Sequence, residues 1–193
     1  MSRSLSAPAM ALLLATASGV AAAAEETYVT DPAHSEPSYE IRHTLFSTQR
    51  GEFTKSTASI VLDREAKTGS IDVTIDTTSI RSHDPRLDNI LKGEDYFNVA
   101  KYPTMTFKSS SLHFDGDRLV AADGELTMIG VSRPVSLKVA NFVCGDNPFN
   151  KKPMCGAEVT ATIKRSEWGM KTGVGRSSGD EVRILIPVEA YRQ

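Results

Sequence analysis

The sequence predicts an all-β domain, a single antiparallel up-and-down β-barrel of about eight strands with one short inserted helix. Apolar and polar residues alternate with a period of two along six segments. Short turn signals rich in Gly, Asp and Pro separate many of them. A two-sheet sandwich is the alternative architecture, and the closed barrel is favoured because closure leaves no exposed strand edge.

The strand pattern begins after residue 37. In residues 38–43, Tyr39, Ile41 and His43 share one parity and the residues between them are polar, which is typical of a strand with one buried face. The same alternation recurs in residues 58–62, 71–76, 135–139, 159–164 and 182–188. Turn signals stand at residues 67–69, 115–117, 122–124 and 130–134. Small residues at inward positions favour an interior with room for a ligand: Ala58, Ala161 and Ala190.

Residues 84–93 break the strand pattern and predict a short helix. Asp84 is a capping residue, Pro85 suits the first helical turn, and Gly93 can end the helix. The apolar residues between them recur at helical spacing, so we expect one face of this helix to pack on the barrel.

The first 24 residues predict a cleaved export signal. A weakly positive start at Arg3 precedes an apolar stretch at residues 9–20, and small residues fill positions 22–24. The stretch is shorter than the roughly 20 residues that a membrane-spanning helix needs. We therefore expect residues 1–24 to be a signal peptide and residues 25–193 to form one exported domain.

The charge balance disfavours nucleic acid as a partner. Removal of residues 1–24 takes away one basic residue, Arg3, from the 22 in the chain and none of the 24 acidic ones, which leaves a net charge of −3. Neither sign is concentrated in a long run. The sequence also predicts no cofactor, and it leaves transient membrane contact and the oligomeric state open.

Both cysteines, Cys144 and Cys155, belong to the expected mature chain. An even number of cysteines in an exported protein favours a disulfide. Residues 145–154 separate the two and lie between strand-like segments, so the bridge would join the two ends of a hairpin loop.

Several strings match a known family in order along the chain. They are residues 28–35 (YVTDPAHS), His43, residues 51–53 (GEF), residues 88–106 (DNILKGEDYFNVAKYPTMT), residues 125–135 (ELTMIGVSRPV) and residues 165–170 (RSEWGM). The chain resembles the YceI-like family of bacterial periplasmic proteins over essentially its whole mature part. The resemblance implies a periplasmic, lipocalin-like barrel whose apolar interior holds a long polyisoprenoid chain.

Two positions depart from the family pattern. Leu45 stands where relatives often have Gly, and Ile90 stands where many have His in the helix. Each is expected to narrow or retune the cavity.

The candidate ligand-binding residues are mostly large apolar side chains. They are Tyr39, Ile41, His43, Phe46, Phe53, Phe97, Tyr102, Met105, Phe107, Arg165 and Trp168. For any single apolar member, ordinary core packing is the alternative. His43 is a candidate to hydrogen-bond a polar head group, against the alternative of a buried histidine satisfied by a neighbour. Arg165 is a candidate partner for an anionic head group, against a salt bridge to Asp31 or another carboxylate.

Metal and catalytic motifs do not stand out. The four histidines lack metal-ligand spacing, and the His34 string (DPAHS) is explained by turn formation. Residues 173–179 are glycine-rich but lack the Lys-Ser/Thr ending of a phosphate loop, which predicts a flexible connection. The sequence contains no Gly-x-Ser-x-Gly or His-Glu-x-x-His string.

The leading functional prediction is a periplasmic binding or carrier protein, not an enzyme, for a polyisoprenoid or similar amphiphilic lipid such as an isoprenoid quinone. One alternative is an enzyme acting on a small amphiphile in the cavity. Another is a stress-induced interaction protein whose interior is packed shut.

Overall fold

The computed structural model describes residues 25–193, which contain eleven strands, one α-helix and two short 3-10 turns. The strands are β1 (Glu26–Thr30), β2 (Ser38–His43), β3 (Ser47–Phe53), β4 (Ser56–Asp63), β5 (Thr68–Asp76), β6 (Ile80–Arg81), β7 (Thr104–Asp115), β8 (Arg118–Met128), β9 (Val131–Asp146), β10 (Pro153–Lys164) and β11 (Ser178–Arg192). The helix is α1 (Pro85–Lys92), and the 3-10 turns are Thr77–Ser79 and Arg165–Trp168. No helix in residues 25–193 is both long enough and apolar enough to cross a bilayer. The predicted signal peptide, residues 1–24, lies outside the described residues.

Eight strands form a closed antiparallel barrel, which confirms the predicted fold class. They follow one another in the order β1, β4, β5, β7, β8, β9, β10, β11, and β1 pairs with β11 to close the ring. The sandwich alternative is wrong, because one continuous set of ladders runs round the whole barrel.

The long strand β11 changes its neighbour along its length. Its last residues pair with β1, whereas its first half pairs with β2. Strand β2 in turn pairs with β3, and β3 pairs with β6. The loop between β1 and β2, residues 31–37, makes this change possible. Asp31 Oδ1 accepts from the backbone N–H of Ala33 at 3.0 Å, and the Ser35 hydroxyl bonds both the N–H and the carbonyl of Glu189. The turn role expected of Asp31 is confirmed, whereas Ser35 bonds to β11 instead of closing a turn.

Helix α1 has the predicted ends. Asp84 caps it by accepting the backbone N–H of Arg86 at 2.9 Å, Pro85 occupies the first turn, and Gly93 follows the last residue. The helix lies next to β6, at the same end of the barrel as the β2–β3 hairpin.

The turn predicted at residues 122–124 is wrong, because these residues lie within β8. Position 124 of β8 requires a glycine because the aromatic ring of Phe107, on the neighbouring strand β7, lies against the backbone there. A Cβ at position 124 would lie 2.5 Å from that ring and would also meet the carbonyl oxygen of Lys108. A glycine inside a strand often marks such a close approach of a neighbouring group.

The disulfide prediction is confirmed. Cys144 of β9 and Cys155 of β10 are bonded and directly opposite in the ladder, with their Cα atoms 4.0 Å apart. Cys155 belongs to a small buried cluster with Tyr28, Leu62 and Ala190 at one end of the barrel. A larger cluster around Phe53, Phe107 and Trp168 fills part of the other end.

Candidate functional site

The barrel encloses a cavity of about 340 Å³, within the range of small-molecule pockets. Most of its wall is made of aliphatic and aromatic side chains on the inward face of the strands and on α1. These are Ile41, Phe53, Val73, Ile75, Leu87, Ile90, Leu91, Phe97, Met105, Phe107, Leu126, Met128, Val135, Leu137, Ile163, Met170, Val182, Ile184 and Ile186. The alternative of an interior packed shut is therefore wrong for this barrel.

A second cavity of about 90 Å³ continues the first toward the disulfide end. The two share the wall residues Pro37, Val73, Leu137 and Ile186. Strands β5, β9 and β11 run along both, so the two spaces adjoin each other along the barrel, with the shared side chains between them. We call them the outer and inner compartments.

The polar side chains that line the inner compartment are bonded to the protein itself. Their bonds are Tyr28 Oη to Glu26 Oε2 (2.7 Å), Ala58 N to Thr30 Oγ1 (2.9 Å), Ser35 Oγ to the Glu189 carbonyl (3.1 Å) and Ser56 Oγ to the Ser35 carbonyl (2.9 Å). The inner compartment thus offers a ligand an apolar surface.

The opening of the outer compartment is mostly polar, although Ile90, which is 56% exposed, also lines this compartment. His43, Gln49 and Ser177 line it and are exposed, with Ser178 beside them. Gln49 donates to Ser47 at 3.1 Å, whereas in the described part of the chain no hydrogen bond involves the His43 ring. His43 is therefore free to bond a ligand at the opening, and the alternative of a buried, satisfied histidine is wrong.

Tyr39 lies on the wall of the outer compartment. Its ring centre is 6.4 Å from that of Phe53, and Phe53 meets Phe97 edge-on at 5.4 Å. Burial raises the pKa of Tyr39 to about 12, and the charge of Asp88 adds to the rise. Tyr39 lines the outer compartment, and within residues 25–193 no hydrogen bond involves its hydroxyl.

Arg165 is buried, with only 4% of its surface exposed, and it holds the following loop in place. Its guanidinium donates to the carbonyl oxygens of Met170, Thr172 and Gly179 and to the Ser178 hydroxyl, at 2.8–3.2 Å. Burial lowers the pKa of this guanidinium. The expected salt bridge is wrong: among the described residues no carboxylate lies within ion-pair distance of Arg165. The sequence predicts a flexible connection at residues 173–179, but hydrogen bonds from Arg165 hold both ends of this segment.

Eight of the eleven predicted ligand-binding residues line the outer compartment. They are Tyr39, Ile41, His43, Phe53, Phe97, Met105, Phe107 and Arg165. Their role in binding remains a prediction.

The other three do not line either compartment. Phe46 is 90% exposed at the tip of the β2–β3 hairpin. Trp168 is buried in the core, where its Nε1 donates to the Leu126 carbonyl at 3.0 Å. Tyr102 packs its ring against the Gly130 turn, where an added Cβ would lie 2.9 Å away. A large aromatic side chain in a barrel sequence does not by itself indicate an inward position.

The two residues that depart from the family pattern differ in their relation to the cavity. Leu45 is 85% exposed at the hairpin tip, so it does not narrow the cavity. Ile90 does line the outer compartment. Leu137, Val182 and Ile184 also line the outer compartment, although they are not among the predicted ligand-binding residues. The alternation of apolar and polar residues in their strands is the signal that could have identified them.

A surface cluster joins Asp31, His34 and Glu189, whose ligand atoms lie within 4.8 Å of one another. His34 Nδ1 is 2.8 Å from Asp31 Oδ2 and 3.9 Å from Glu189 Oε2. The bond to Asp31 raises the pKa of His34 and lowers that of Asp31. The cluster lies outside both compartments and links the loop after β1 to β11.

Known proteins share this architecture. The chain is 34% identical over 176 residues to Protein YceI of Escherichia coli O157:H7, covering 91% of each chain. Burkholderia cenocepacia BcnA matches in structure with a TM-score of 0.72 at 26% identity, over 83% of this chain and 98% of that one. A polyisoprenoid binding domain from Saccharophagus degradans, implicated in plant cell wall breakdown, matches with a TM-score of 0.63 over 86% of this chain and 98% of that one. At 13% identity this last likeness concerns the fold.

The model of the YceI-like domain matches residues 28–190, nearly the whole of the barrel. Together with the closed barrel, its single inserted helix and the cavity inside it, this match shows that the chain belongs to the YceI-like family.

Proposed function

We propose that the protein is a periplasmic carrier that holds the chain of a polyisoprenoid or similar amphiphilic lipid in the two compartments of the barrel. The observation that carries the proposal is the pair of adjoining apolar compartments: the outer one has a mostly polar opening, and the polar side chains that line the inner one are all bonded to the protein. The fold shared with a domain that binds polyisoprenoids supports this ligand class.

The polarity of the two compartments sets the orientation of the lipid. An apolar tail gains most from the inner compartment, where every hydroxyl already donates its proton within the protein. A polar head belongs at the outer opening, where the His43 ring and, deeper in, the Tyr39 hydroxyl offer hydrogen bonds. An isoprenoid quinone, with two carbonyl acceptors at one end, fits this arrangement.

The energetics suit a carrier. Burying one five-carbon isoprene unit from water is worth roughly 4 kcal/mol, at about 0.8 kcal/mol per carbon. Five units would thus reach the practical ceiling of noncovalent affinity, near −20 kcal/mol. Such a lipid starts in a bilayer, however, and transfer from one apolar environment to another is nearly neutral. Both loading and release are then accessible.

Binding is favoured over catalysis by the way the ionisable groups are used. Arg165 donates four hydrogen bonds to the loop that follows it and to the start of β11. His43 stands at the opening with no carboxylate bonded to its ring in the described chain, so it lacks the orienting partner of a general base.

Mass spectrometry of an organic extract tests the proposal. Protein purified from its own periplasm without detergent should carry about one isoprenoid lipid per chain, and its intact mass should correspond to a chain that begins at or close to Glu25. A lipid-free protein would contradict the carrier role. Chemical turnover of the extracted lipid by the purified protein would favour the enzyme alternative.

A further inference from the structure

The tip of the β2–β3 hairpin exposes two large apolar side chains. Leu45 is 85% and Phe46 is 90% exposed, among the highest values for large apolar residues in the described chain. The Arg42 guanidinium donates to the Leu45 carbonyl at 2.7 Å, which fixes the backbone that presents them. Adjacent apolar side chains on a protruding tip indicate an interaction surface.

This tip borders the opening of the outer compartment. The backbone N–H of Thr44 donates to the Ser177 carbonyl at 3.0 Å, and His43 pairs with Ser178 in the ladder. His43, Ser177 and Ser178 also line the outer compartment. A surface that receives Leu45 and Phe46 therefore lies directly against the opening.

The two segments that form the tip and the loop beside it carry charges of one sign. Residues 41–51 and 169–179 contain no Asp or Glu. Arg42, Lys171 and Arg176 are exposed there, and within residues 25–193 none of the three lies in an ion pair. This surplus of positive charge suits an anionic partner.

Other charged residues near the opening limit this positive surface to the hairpin side. Arg50 of the same hairpin is paired with Glu40 at 2.8 Å and adds nothing to the surplus. Glu94 and Asp95 follow α1 and are exposed, so the basic character belongs to the hairpin side of the opening.

We propose that the hairpin tip and residues 171–176 form a docking surface for an anionic phospholipid bilayer, through which the barrel exchanges its lipid. Leu45 and Phe46 insert at the boundary between head groups and acyl chains, and Arg42, Lys171 and Arg176 contact the phosphates. A bilayer fits better than a protein partner because the tip places apolar groups and cations directly beside the opening of the outer compartment, which a membrane lipid has to reach. The proposal rests on the carrier function above.

The chain contains its own matched control. Phe149 is 93% exposed in the β9–β10 loop, and Lys151 and Lys152 follow it. This loop has a composition similar to that of the hairpin tip, but it lies at the opposite end of the barrel, beside the disulfide.

Flotation with vesicles tests the assignment. The probes are vesicles of phosphatidylethanolamine with phosphatidylglycerol, compared with pure phosphatidylcholine. The unaltered protein and Phe149→Ser should float with the anionic vesicles, and added salt should weaken this binding. The double variant Leu45→Ser/Phe46→Ser should bind about tenfold more weakly or worse, because two apolar side chains no longer insert. Equal binding by the double variant, loss of binding in Phe149→Ser, or no flotation of the unaltered protein would overturn the proposal.

Lipid content separates this inference from the carrier function. A double variant that accepts an isoprenoid quinone from detergent micelles but no longer takes it from anionic vesicles supports the docking surface. If the unaltered protein floats normally but accepts no lipid from either source, the carrier function fails while the docking surface stands.

Discussion

Tyr39 and Gly51 face each other across the β2–β3 hairpin, and the tyrosine ring occupies the space that a side chain at position 51 would need. A Cβ added at Gly51 would lie 2.5 Å from the Tyr39 hydroxyl oxygen. The glycine thus lets the ring lie flat along the wall of the outer compartment.

Gly51→Ala should therefore destabilise the protein by about 1–3 kcal/mol, since the ring has to leave its position. Urea unfolding of the single and double variants measures this cost. In a Tyr39→Ala background the same change should cost much less, because the clashing ring is gone. An equal cost in both backgrounds would show that the two side chains are not coupled.

His43 should contribute to affinity only for lipids with a polar head. His43→Ala should weaken binding of an isoprenoid quinone about three- to tenfold, the value of one hydrogen bond. Binding of squalene, an isoprenoid hydrocarbon without a head, should change little. Both affinities can be measured by displacement of a fluorescent fatty acid, and equal losses for the two ligands would show that His43 is structural.

The disulfide should contribute substantially to stability. Cys144 and Cys155 are 11 residues apart in sequence, and the chain-entropy estimate for a loop of that size is roughly 3 kcal/mol. Replacement of both by Ala should lower the free energy of unfolding by that amount and leave the β-type circular dichroism spectrum unchanged. Thiol labelling of the oxidised, unaltered protein should find no free cysteine; two reactive thiols would contradict the bridge.

The His34–Asp31 pair should stabilise the fold between the two folded-state pKa values. The pKa of His34 is raised, so its contribution is complete below the ordinary value of 6.5 and is lost as pH rises through the folded pKa. The pKa of Asp31 is lowered, so its contribution is present above 3.8 and is lost as pH falls through the folded pKa. The effect is small because His34 is exposed.

NMR titration of the His34 ring checks this pair directly. Asp31→Asn should lower the midpoint of the titration. Glu189→Gln is the control and should lower it less, because that carboxylate is 3.9 Å away and acts through charge alone. An unchanged midpoint in Asp31→Asn would contradict the pair.

The sequence was sufficient to predict the fold class, because period-two alternation and short hairpins constrain a chain strongly. Several barrel strands nevertheless escaped recognition. In β7 the inward residues Met105 and Phe107 are followed at the next inward position by Ser109, which is polar. Its buried hydroxyl donates to the Asp123 carbonyl, and the register of the ladder shifts next to it. A bulge of this kind interrupts the alternation on which the prediction depends.

The wall of the site was predictable where parity is clear and unpredictable elsewhere. Tyr39, Ile41 and His43 were placed correctly because one strand face carries all three. Phe46 and Trp168 were misplaced because they follow strands and no parity applies to them. The role of Arg165 depends on carbonyl oxygens of the loop after it, and sequence does not show which way those point.

The lipid content of Ala58→Trp tests the central claim most directly. Ala58 lines the inner compartment, whereas Ser59, its neighbour on β4, faces outward and provides the control Ser59→Trp. We predict that Ala58→Trp, purified beside the unaltered protein, keeps its β-type circular dichroism but loses most of its co-purified lipid, while Ser59→Trp retains about one molecule per chain. Equal lipid content in the two variants would contradict a ligand seated in the barrel.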